Sequence, residues 1–288
     1  MTLKQALRRA RDVLTENGVE DASLESELLL RHTLKISRPQ LYLDLEKELT
    51  PRQDKTFRRL VQRRLNGEPS AYITGHREFY GLDFNVSPAV LIPRPESELL
   101  VETALALAKK HPSAIIADIG TGSGAIAISL ALALAQAKIY ATDISAAALE
   151  TALANCRKHG VSDRVRLLEG NLLEPLPELV DIIVANLPYV SQSELNPQFE
   201  PPLALDGGAD GTESIEQLCQ QAGGKLKSGG SLLLEIGRGQ RAAVTDILHN
   251  IFPEGTIEVI PDLAGIDRVV CLSLSARPVR LDRQPLHC

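Results

Sequence analysis

Hydrophobic residues follow two different spacings along the chain. At the N-terminus they recur every three or four positions, which is typical of amphipathic helices. The first such stripe consists of Leu3, Ala6, Leu7, Ala10, Val13 and Leu14. Beyond residue 113, short apolar runs instead alternate with helical patterns, which predicts strands and helices in turn. The chain is therefore expected to have a small helical part followed by an α/β part.

Further helices are predicted within the first seventy residues. Leu24, Leu28 and Leu29 are expected to form the apolar face of the second helix. Thr50-Pro51-Arg52-Gln53 predicts a helix start, because an N-cap residue, a first-turn proline and a glutamine three residues after the cap occur together. The helix that follows has an apolar stripe of Phe57, Leu60, Val61 and Leu65, and its other faces carry Arg58, Arg59, Arg63 and Arg64. This arginine cluster is either a solvated surface or a docking surface for an acidic partner or RNA.

A hairpin and a stiff connector are predicted between the two parts. Aromatic and apolar residues on both sides of Gly81 suggest the hairpin, and Pro93 and Pro95 cannot lie in the middle of a helix. The predicted organisation is a helical recognition domain at 1–78, the hairpin and connector at 79–96, a catalytic α/β domain at 97–276 and a tail at 277–288.

The α/β part is predicted to contain seven strands, at 114–119, 138–142, 164–168, 180–185, 231–236, 256–260 and 268–274. Helices are predicted between them, for example at 125–135, 146–158 and 215–225. This alternation favours a doubly wound, mostly parallel sheet with helices on both faces. The connection at 261–265 is too short for a helix, so the last strand is expected to be antiparallel.

The composition of the chain is useful mainly because it excludes several classes of function. The 288 residues are 44% hydrophobic and carry a net charge of −6, which argues against broad binding to nucleic acid. The chain has no tryptophan, so a base-stacking platform is not expected. Its N-terminus does not resemble a signal peptide, and its four cysteines form no CxxC pair. We therefore expect a soluble, cytoplasmic, monomeric protein with no membrane span and no metal site.

A glycine-rich loop and an acidic residue predict a cofactor site. Gly120-Thr121-Gly122-Ser123-Gly124 follows the first predicted strand of the α/β part and opens a helix, and glycines let a backbone approach a ligand closely. Asp143 ends the next strand, where a carboxylate can accept hydrogen bonds from both ribose hydroxyls; the alternative is an N-cap of the helix near Ala146. Asn171 is a candidate for hydrogen bonding an adenine edge, with Leu172 against the ring, although Asn171 could equally be an ordinary loop residue. These features fit either NAD or S-adenosylmethionine.

The turn Asn186-Leu187-Pro188-Tyr189 distinguishes the two cofactors. It ends a buried strand, and ligands of open α/β sheets bind beyond the carboxyl ends of the strands. The Asn186 side-chain oxygen and the Leu187 carbonyl can each accept one N–H of a target amino group, on which Tyr189 can stack. The alternative is a proline turn that only packs. A nicotinamide enzyme has no evident need for such a turn, whereas an enzyme that transfers a methyl group to a planar NH₂ group needs one.

At these residues the chain resembles the HemK/PrmC family, whose members carry an Asn-Pro-Pro-Tyr-type turn. Further similarity lies at 72–75, 79–81, 91–98 and 199–208. The resemblance implies a Rossmann-like class I S-adenosylmethionine-dependent methyltransferase fold preceded by a small helical domain. It also implies transfer of a methyl group to the side-chain amide nitrogen (N5) of the glutamine in the Gly-Gly-Gln motif of class-1 peptide chain release factors. Leu187 stands where the family usually has proline, and Asn171 where aspartate is common.

The catalytic residues expected on this basis are Asn186, Leu187, Pro188 and Tyr189. The expected cofactor-binding residues are Gly120, Thr121, Gly122, Ser123, Gly124, Asp143, Asn171, Leu172 and Asn186, and the expected product is S-adenosylhomocysteine. Three alternatives are glutamine methylation of a ribosomal protein, adenine N6-methylation of nucleic acid, and a non-catalytic binding module.

Overall fold

The N-terminal part is a bundle of five helices. The computed structural model describes residues 1–109, 111 and 113–275, so the predicted tail at 277–288 lies outside the described residues. The helices are α1 (Leu3–Glu16), α2 (Ala22–Leu34), α3 (Arg38–Leu43), α4 (Pro51–Leu65) and α5 (Ser70–Thr74). Both α1 and α4 begin with a capping box, formed by Thr2 with Gln5 and by Thr50 with Gln53. The predicted start of α4 is therefore confirmed.

The predicted apolar face of α2 is confirmed at Leu29 and wrong at Leu24. Leu24 is 48% exposed, whereas Ala22, Leu29 and Leu30 are buried in the bundle core. The true face has the spacing i, i+4, i+7 and i+8 from Ala22 and includes the buried hydroxyl residue Ser26. A polar residue within the face concealed this period.

Three of the four arginines of this cluster on α4 form ion pairs within the N-terminal part. Arg58 contacts Asp54 at 2.8 Å, and Arg64 contacts Glu25 of α2 at 3.0 Å. Arg63 makes two hydrogen bonds to Glu68. These internal partners favour a structural explanation of the cluster over a docking surface.

A hairpin connects the bundle to the sheet. Its strands are β1 (His76–Phe79) and β2 (Leu82–Asn85), and Tyr80 and Gly81 at the turn have φ values of 52° and 70°. Two consecutive positive φ angles are those of a type I′ turn, whose twist matches that of the strands. The hairpin begins at His76, three residues before the predicted start at 79. The prediction missed these residues because His76-Arg77-Glu78 has no apolar side chain.

The α/β part has the predicted sheet. Its strands are β3 (Ile115–Ile119), β4 (Lys138–Asp143), β5 (Val165–Glu169), β6 (Val180–Ala185), β7 (Leu226–Glu235), β8 (Thr256–Pro261) and β9 (Asp267–Ser273), in the order β5-β4-β3-β6-β7-β9-β8. β9 runs antiparallel to both of its neighbours, β7 and β8, whereas the other strand pairs of this sheet are parallel. β7 begins at Leu226 and not at the predicted residue 231. The prediction missed its start because Lys227-Ser228-Gly229-Gly230 lacks the apolar run that indicates a strand.

Helices cover both faces of this sheet. They are α6 (Glu98–Ala108), α7 (Ala125–Ala133), α8 (Ala146–Lys158), α9 (Glu213–Ala222) and α10 (Arg241–Ile251). Successive residues of β6 point to opposite faces: Ile182 and Val184 belong to one hydrophobic cluster, and Ile183 and Ala185 to the other. Within the described residues, no helix combines the length and apolar character that crossing a membrane requires.

Candidate active site

One cavity lies beyond the carboxyl ends of β3, β4 and β6. β3 pairs with both β4 and β6, so the residues that follow these strands emerge side by side. Most of the predicted site residues line this cavity, namely Gly120, Thr121, Gly122, Ser123, Asp143, Asn171, Leu172, Asn186, Leu187 and Pro188. Gly124 and Tyr189 lie outside the lining.

The glycine loop has close neighbours at two points. Gly120 has a φ of 71°, and a Cβ there would lie 3.1 Å from Cδ2 of Leu187. Gly124 has a φ of 80°, and a Cβ there would lie 3.2 Å from Cβ of Ala152 in α8. Gly124 therefore permits close packing of α7 and α8, whereas Gly120 permits contact between the loop and the Asn186–Tyr189 turn.

Asp118 supports the loop from below. Its carboxylate is buried and accepts hydrogen bonds from the Thr121 hydroxyl at 2.6 Å and from the Ala127 backbone N–H at 3.1 Å. Burial raises the pKa of Asp118 to about 6, and the two hydrogen bonds oppose this shift. Asp118 thus joins the loop to the first turn of α7.

Asp143 joins β4 to the glycine loop. One carboxylate oxygen accepts the Gly122 backbone N–H and the other accepts the Ser145 backbone N–H, both at 2.9 Å. The N-cap of α8 is Ser145, whose hydroxyl accepts the Ala148 N–H, so Asp143 does not have the alternative N-cap role. Burial raises the pKa of Asp143. Each carboxylate oxygen retains acceptor capacity for a ligand hydroxyl.

The loop after β5 forms another wall. Leu172 has a φ of 49°, an uncommon backbone conformation for a non-glycine residue, and its carbonyl accepts the Thr142 hydroxyl at 2.9 Å. The Asn171 amide donates to Glu174 at 3.0 Å. Both residues line the cavity, and contact with an adenine stays a prediction.

The turn after β6 presents two hydrogen-bond acceptors. Asn186 Nδ2 donates to the Ser97 hydroxyl at 2.9 Å. Within the described residues, neither Asn186 Oδ1 nor the Leu187 carbonyl oxygen has a hydrogen-bond partner. The Leu187 side chain is apolar and buried in the core. The polar group that this position can offer to a ligand is therefore its backbone carbonyl.

Tyr189 anchors the far end of the turn. Its hydroxyl donates to Glu235 Oε1 at 3.4 Å, and its carbonyl accepts from Gln240 Nε2 at 2.9 Å. Burial raises the pKa of Tyr189 to about 12, so the hydroxyl keeps its proton at neutral pH. Its stacking on a substrate stays a prediction.

Sequence reasoning missed two residues that bind the Asn186–Tyr189 turn, Ser97 and Glu235. Glu235 ends β7, next to β6, so the rule that ligands bind beyond the carboxyl ends of strands could have identified it. Ser97 lies in the 91–98 segment, but nothing in that segment marks it as the partner of Asn186. Arg94 and Ile92 of the same segment both bind Glu200, which holds the connector against the 199–208 segment.

Comparison with known proteins identifies both parts of the chain. A family model described as the PrmC N-terminal domain matches residues 5–75, and one described as the methyltransferase small domain matches residues 95–260. A release factor glutamine methyltransferase of Moorella thermoacetica is 47% identical over 93% of this chain and 97% of its own length. The chain belongs to the release factor glutamine methyltransferase family. Another member, from Koribacter versatilis, is 41% identical over 94% of this chain and 98% of its own length.

The solved structures agree with this fold. A methyltransferase from Pyrococcus furiosus superposes with a TM-score of 0.51 at 18% identity, covering 68% of this chain and 91% of its own. The chain is thus an enzyme of the S-adenosylmethionine-dependent methyltransferase class, with a Rossmann-like sheet and an N-terminal helical domain.

Proposed function

We propose that this enzyme transfers the methyl group of S-adenosylmethionine to the N5 amide nitrogen of the glutamine in the Gly-Gly-Gln motif of a class-1 release factor, and so modulates translation termination. The proposal rests on family membership together with the chemistry of the cavity. The observation that carries it is that Asn186 and Leu187, whose side-chain and backbone oxygens have no hydrogen-bond partner within the described residues, line the same cavity as Asp143 and the glycine loop.

The residues on the cofactor side fit S-adenosylmethionine. The Asp143 carboxylate can accept the two ribose hydroxyls while it keeps its bonds to Gly122 and Ser145. The absence of a side chain at Gly120 lets the loop pack closely against Leu187, where a Cβ would lie 3.1 Å from Cδ2. When bound, the cofactor supplies an electrophilic methyl carbon on a positively charged sulfur.

The residues on the substrate side suit a primary amide. An amide NH₂ group has two hydrogens, and Asn186 Oδ1 and the Leu187 carbonyl can each accept one. A carboxamide nitrogen is a weak nucleophile, so its orientation toward the methyl carbon contributes much of the rate enhancement. The same acceptors stabilise positive charge that develops on the nitrogen.

The N-terminal bundle is the proposed recognition domain for the release factor. It has its own hydrophobic core and occupies the residues that match the PrmC N-terminal family model. The glutamine must reach the bottom of a cavity, and a separate domain can hold the rest of the substrate protein while it does so.

The function can be tested with purified enzyme, radiolabelled S-adenosylmethionine and three acceptors offered separately: a class-1 release factor, ribosomal subunits and bulk nucleic acid. We expect acid-stable label on the release factor alone, with mass spectrometry placing the methyl group on the Gly-Gly-Gln glutamine. A release factor with that glutamine changed to alanine is the matched control and should remain unlabelled. Label on ribosomal protein or nucleic acid instead would overturn the proposed substrate.

A further inference from the structure

A buried carboxylate lies behind the Asn186–Tyr189 turn and has no role in the function described so far. Glu235 is 1% exposed and ends β7. Ala185 pairs with Leu234 in the sheet, so Asn186 and Glu235, which follow them, emerge from adjacent strands. The carboxylate therefore lies beside the substrate side of the cavity.

Glu235 binds Tyr189 at one end of this turn and neighbours Ser97, which binds Asn186 at the other end. It accepts the Tyr189 hydroxyl at 3.4 Å. The Ser97 hydroxyl, which accepts Asn186 Nδ2 at 2.9 Å, lowers the pKa of the Glu235 carboxylate and so lies close to it. Within the described residues, Glu235 Oε2 is buried and has no hydrogen-bond partner. Ser97 is also buried, so its proton requires a nearby acceptor.

The direction of these interactions decides how the Asn186 amide is oriented. A serine hydroxyl has a single proton, and an ionised carboxylate can only accept hydrogen bonds. If the Ser97 proton is directed to Glu235, the Ser97 oxygen must accept from Asn186. Asn186 then presents its NH₂ group to Ser97 and its Oδ1 to the cavity. The reversed amide would present a donor to the substrate NH₂ group, which is itself a donor.

We propose that Glu235 is a positioning residue for methyl transfer and that it acts through Ser97 to keep Asn186 Oδ1 directed at the substrate amide. The second contact of Glu235, with Tyr189, fixes the other end of the turn. This inference rests on the proposed function for its catalytic consequence, but the orientation of Asn186 can be measured without substrate or cofactor.

The charges around Glu235 are consistent with an ionised carboxylate at neutral pH. Burial raises its pKa to about 6, while Ser97, Arg268 of β9 and Tyr189 lower it and Glu96 raises it. Above that pH the group is mainly an acceptor, which is the state that the proposed chain of hydrogen bonds requires.

Three variants test the proposal kinetically: Ser97→Ala, Glu235→Gln and the double variant. Alanine removes the link, and glutamine can present an NH₂ group to Ser97 and so reverse the chain of hydrogen bonds. We expect kcat on the release factor to fall about tenfold in each single variant, the loss expected for about one net hydrogen bond, with KM for S-adenosylmethionine changed less than twofold. Because the two residues act in series, the double variant should be no slower than the slower single variant.

Ser129→Ala is the matched control, because Ser129 is a buried serine of α7 whose hydroxyl, within the described residues, donates only to the Ala125 carbonyl of its own helix. We expect it to keep the wild-type kcat. Thermal denaturation of all four variants shows whether they are folded. If Glu235→Gln does not fold, the comparison of Ser97→Ala with Ser129→Ala still tests the proposal. A kcat for Ser97→Ala within twofold of wild type would overturn the proposal, and so would losses that multiply in the double variant.

A second readout uses the cofactor-free protein. The Asn186 side-chain amide can be assigned in a ¹⁵N correlation spectrum by its disappearance in Asn186→Ala. We expect its protons to exchange with water at least tenfold faster in Ser97→Ala and Glu235→Gln than in wild type. Unchanged exchange would refute the positioning role. If the wild-type enzyme fails to methylate a release factor, the proposed function is wrong, and the exchange experiment still tests the orientation of Asn186.

Discussion

Replacing Asp143 with asparagine tests whether the junction of β4 and the glycine loop binds the cofactor. Both oxygens of the Asp143 carboxylate already accept backbone N–H groups, from Gly122 and Ser145. An asparagine has one oxygen and one NH₂ group. Whichever way the amide is turned, it directs a donor at one of the two backbone donors and offers one acceptor fewer to the ribose.

The size of the effect follows from these lost bonds. A hydrogen bond to a charged group contributes about 1.5–3 kcal/mol net, and an unpaired buried donor costs about 1–3 kcal/mol. Part of the backbone penalty is present with and without cofactor, so we expect a net loss of about 3 kcal/mol in binding. This corresponds to an increase of about 100-fold in Kd for S-adenosylmethionine.

Isothermal titration calorimetry with S-adenosylmethionine measures this change directly. Asp163→Asn is the matched control, because Asp163 is exposed and lies in the turn before β5, and its Kd should equal that of wild type. An increase of less than threefold in Asp143→Asn would refute the assignment of Asp143 to the ribose. Because burial raises the pKa of Asp143, wild-type affinity should weaken as the pH falls through that raised pKa. The asparagine variant should lack this dependence.

Three further substitutions test other parts of the site. Asn186→Ala should lower kcat about 100-fold while Kd for S-adenosylmethionine stays within threefold, measured by initial rates and calorimetry; an unchanged kcat would contradict its role. Asp118 has a folded pKa of about 6 against an ordinary 3.8, so its contribution to stability is present below pH 3.8, is lost as the pH rises through 6, and amounts to about 3 kcal/mol. Urea denaturation of Asp118→Asn should therefore show a flatter dependence of the unfolding free energy between pH 4 and pH 6; the wild-type slope would contradict this. Leu187→Pro replaces a buried leucine side chain with a smaller ring, and the Leu187 N–H has no hydrogen-bond partner within the described residues, so we expect a loss of about 1–3 kcal/mol in unfolding free energy with kcat within tenfold of wild type; a larger fall in kcat would show that the turn depends on leucine.

The sheet was predictable because its central strands are short apolar runs. Val180–Ala185 is buried along nearly its whole length, and such a run has few alternatives to a parallel strand. The positions of the glycine loop, Asp143 and Asn186 then followed from the rule that ligands bind beyond the carboxyl ends of the strands. Sequence reasoning failed where polar residues carried the structure, as at the start of β7 and on the buried face of α2.

The partners of the site residues could not be predicted in the same way. Ser97 is 89 residues from Asn186 in the chain, and only the packing of the connector beside β6 brings them together. Glu235 reads in the sequence as the polar end of a strand, and its significance depends on the order of β6 and β7 in the sheet. A single sequence reports which residues end strands but not which side chains meet across them.

We expect leucine at position 187 to be tolerated in place of the proline that the family resemblance implies, because neighbouring residues hold both ends of the turn. Asn186 is held by Ser97, and Tyr189 is held by Glu235 through its hydroxyl and by Gln240 through its carbonyl. With both ends of the turn anchored, the ring of a proline at 187 is not needed to hold the backbone between them. The Leu187 side chain instead packs toward Gly120, where an added Cβ would lie only 3.1 Å from it. The glycine loop and the Asn186–Tyr189 turn are therefore closely packed, so we expect a side chain introduced at Gly120 to displace Leu187 and with it the backbone of the turn.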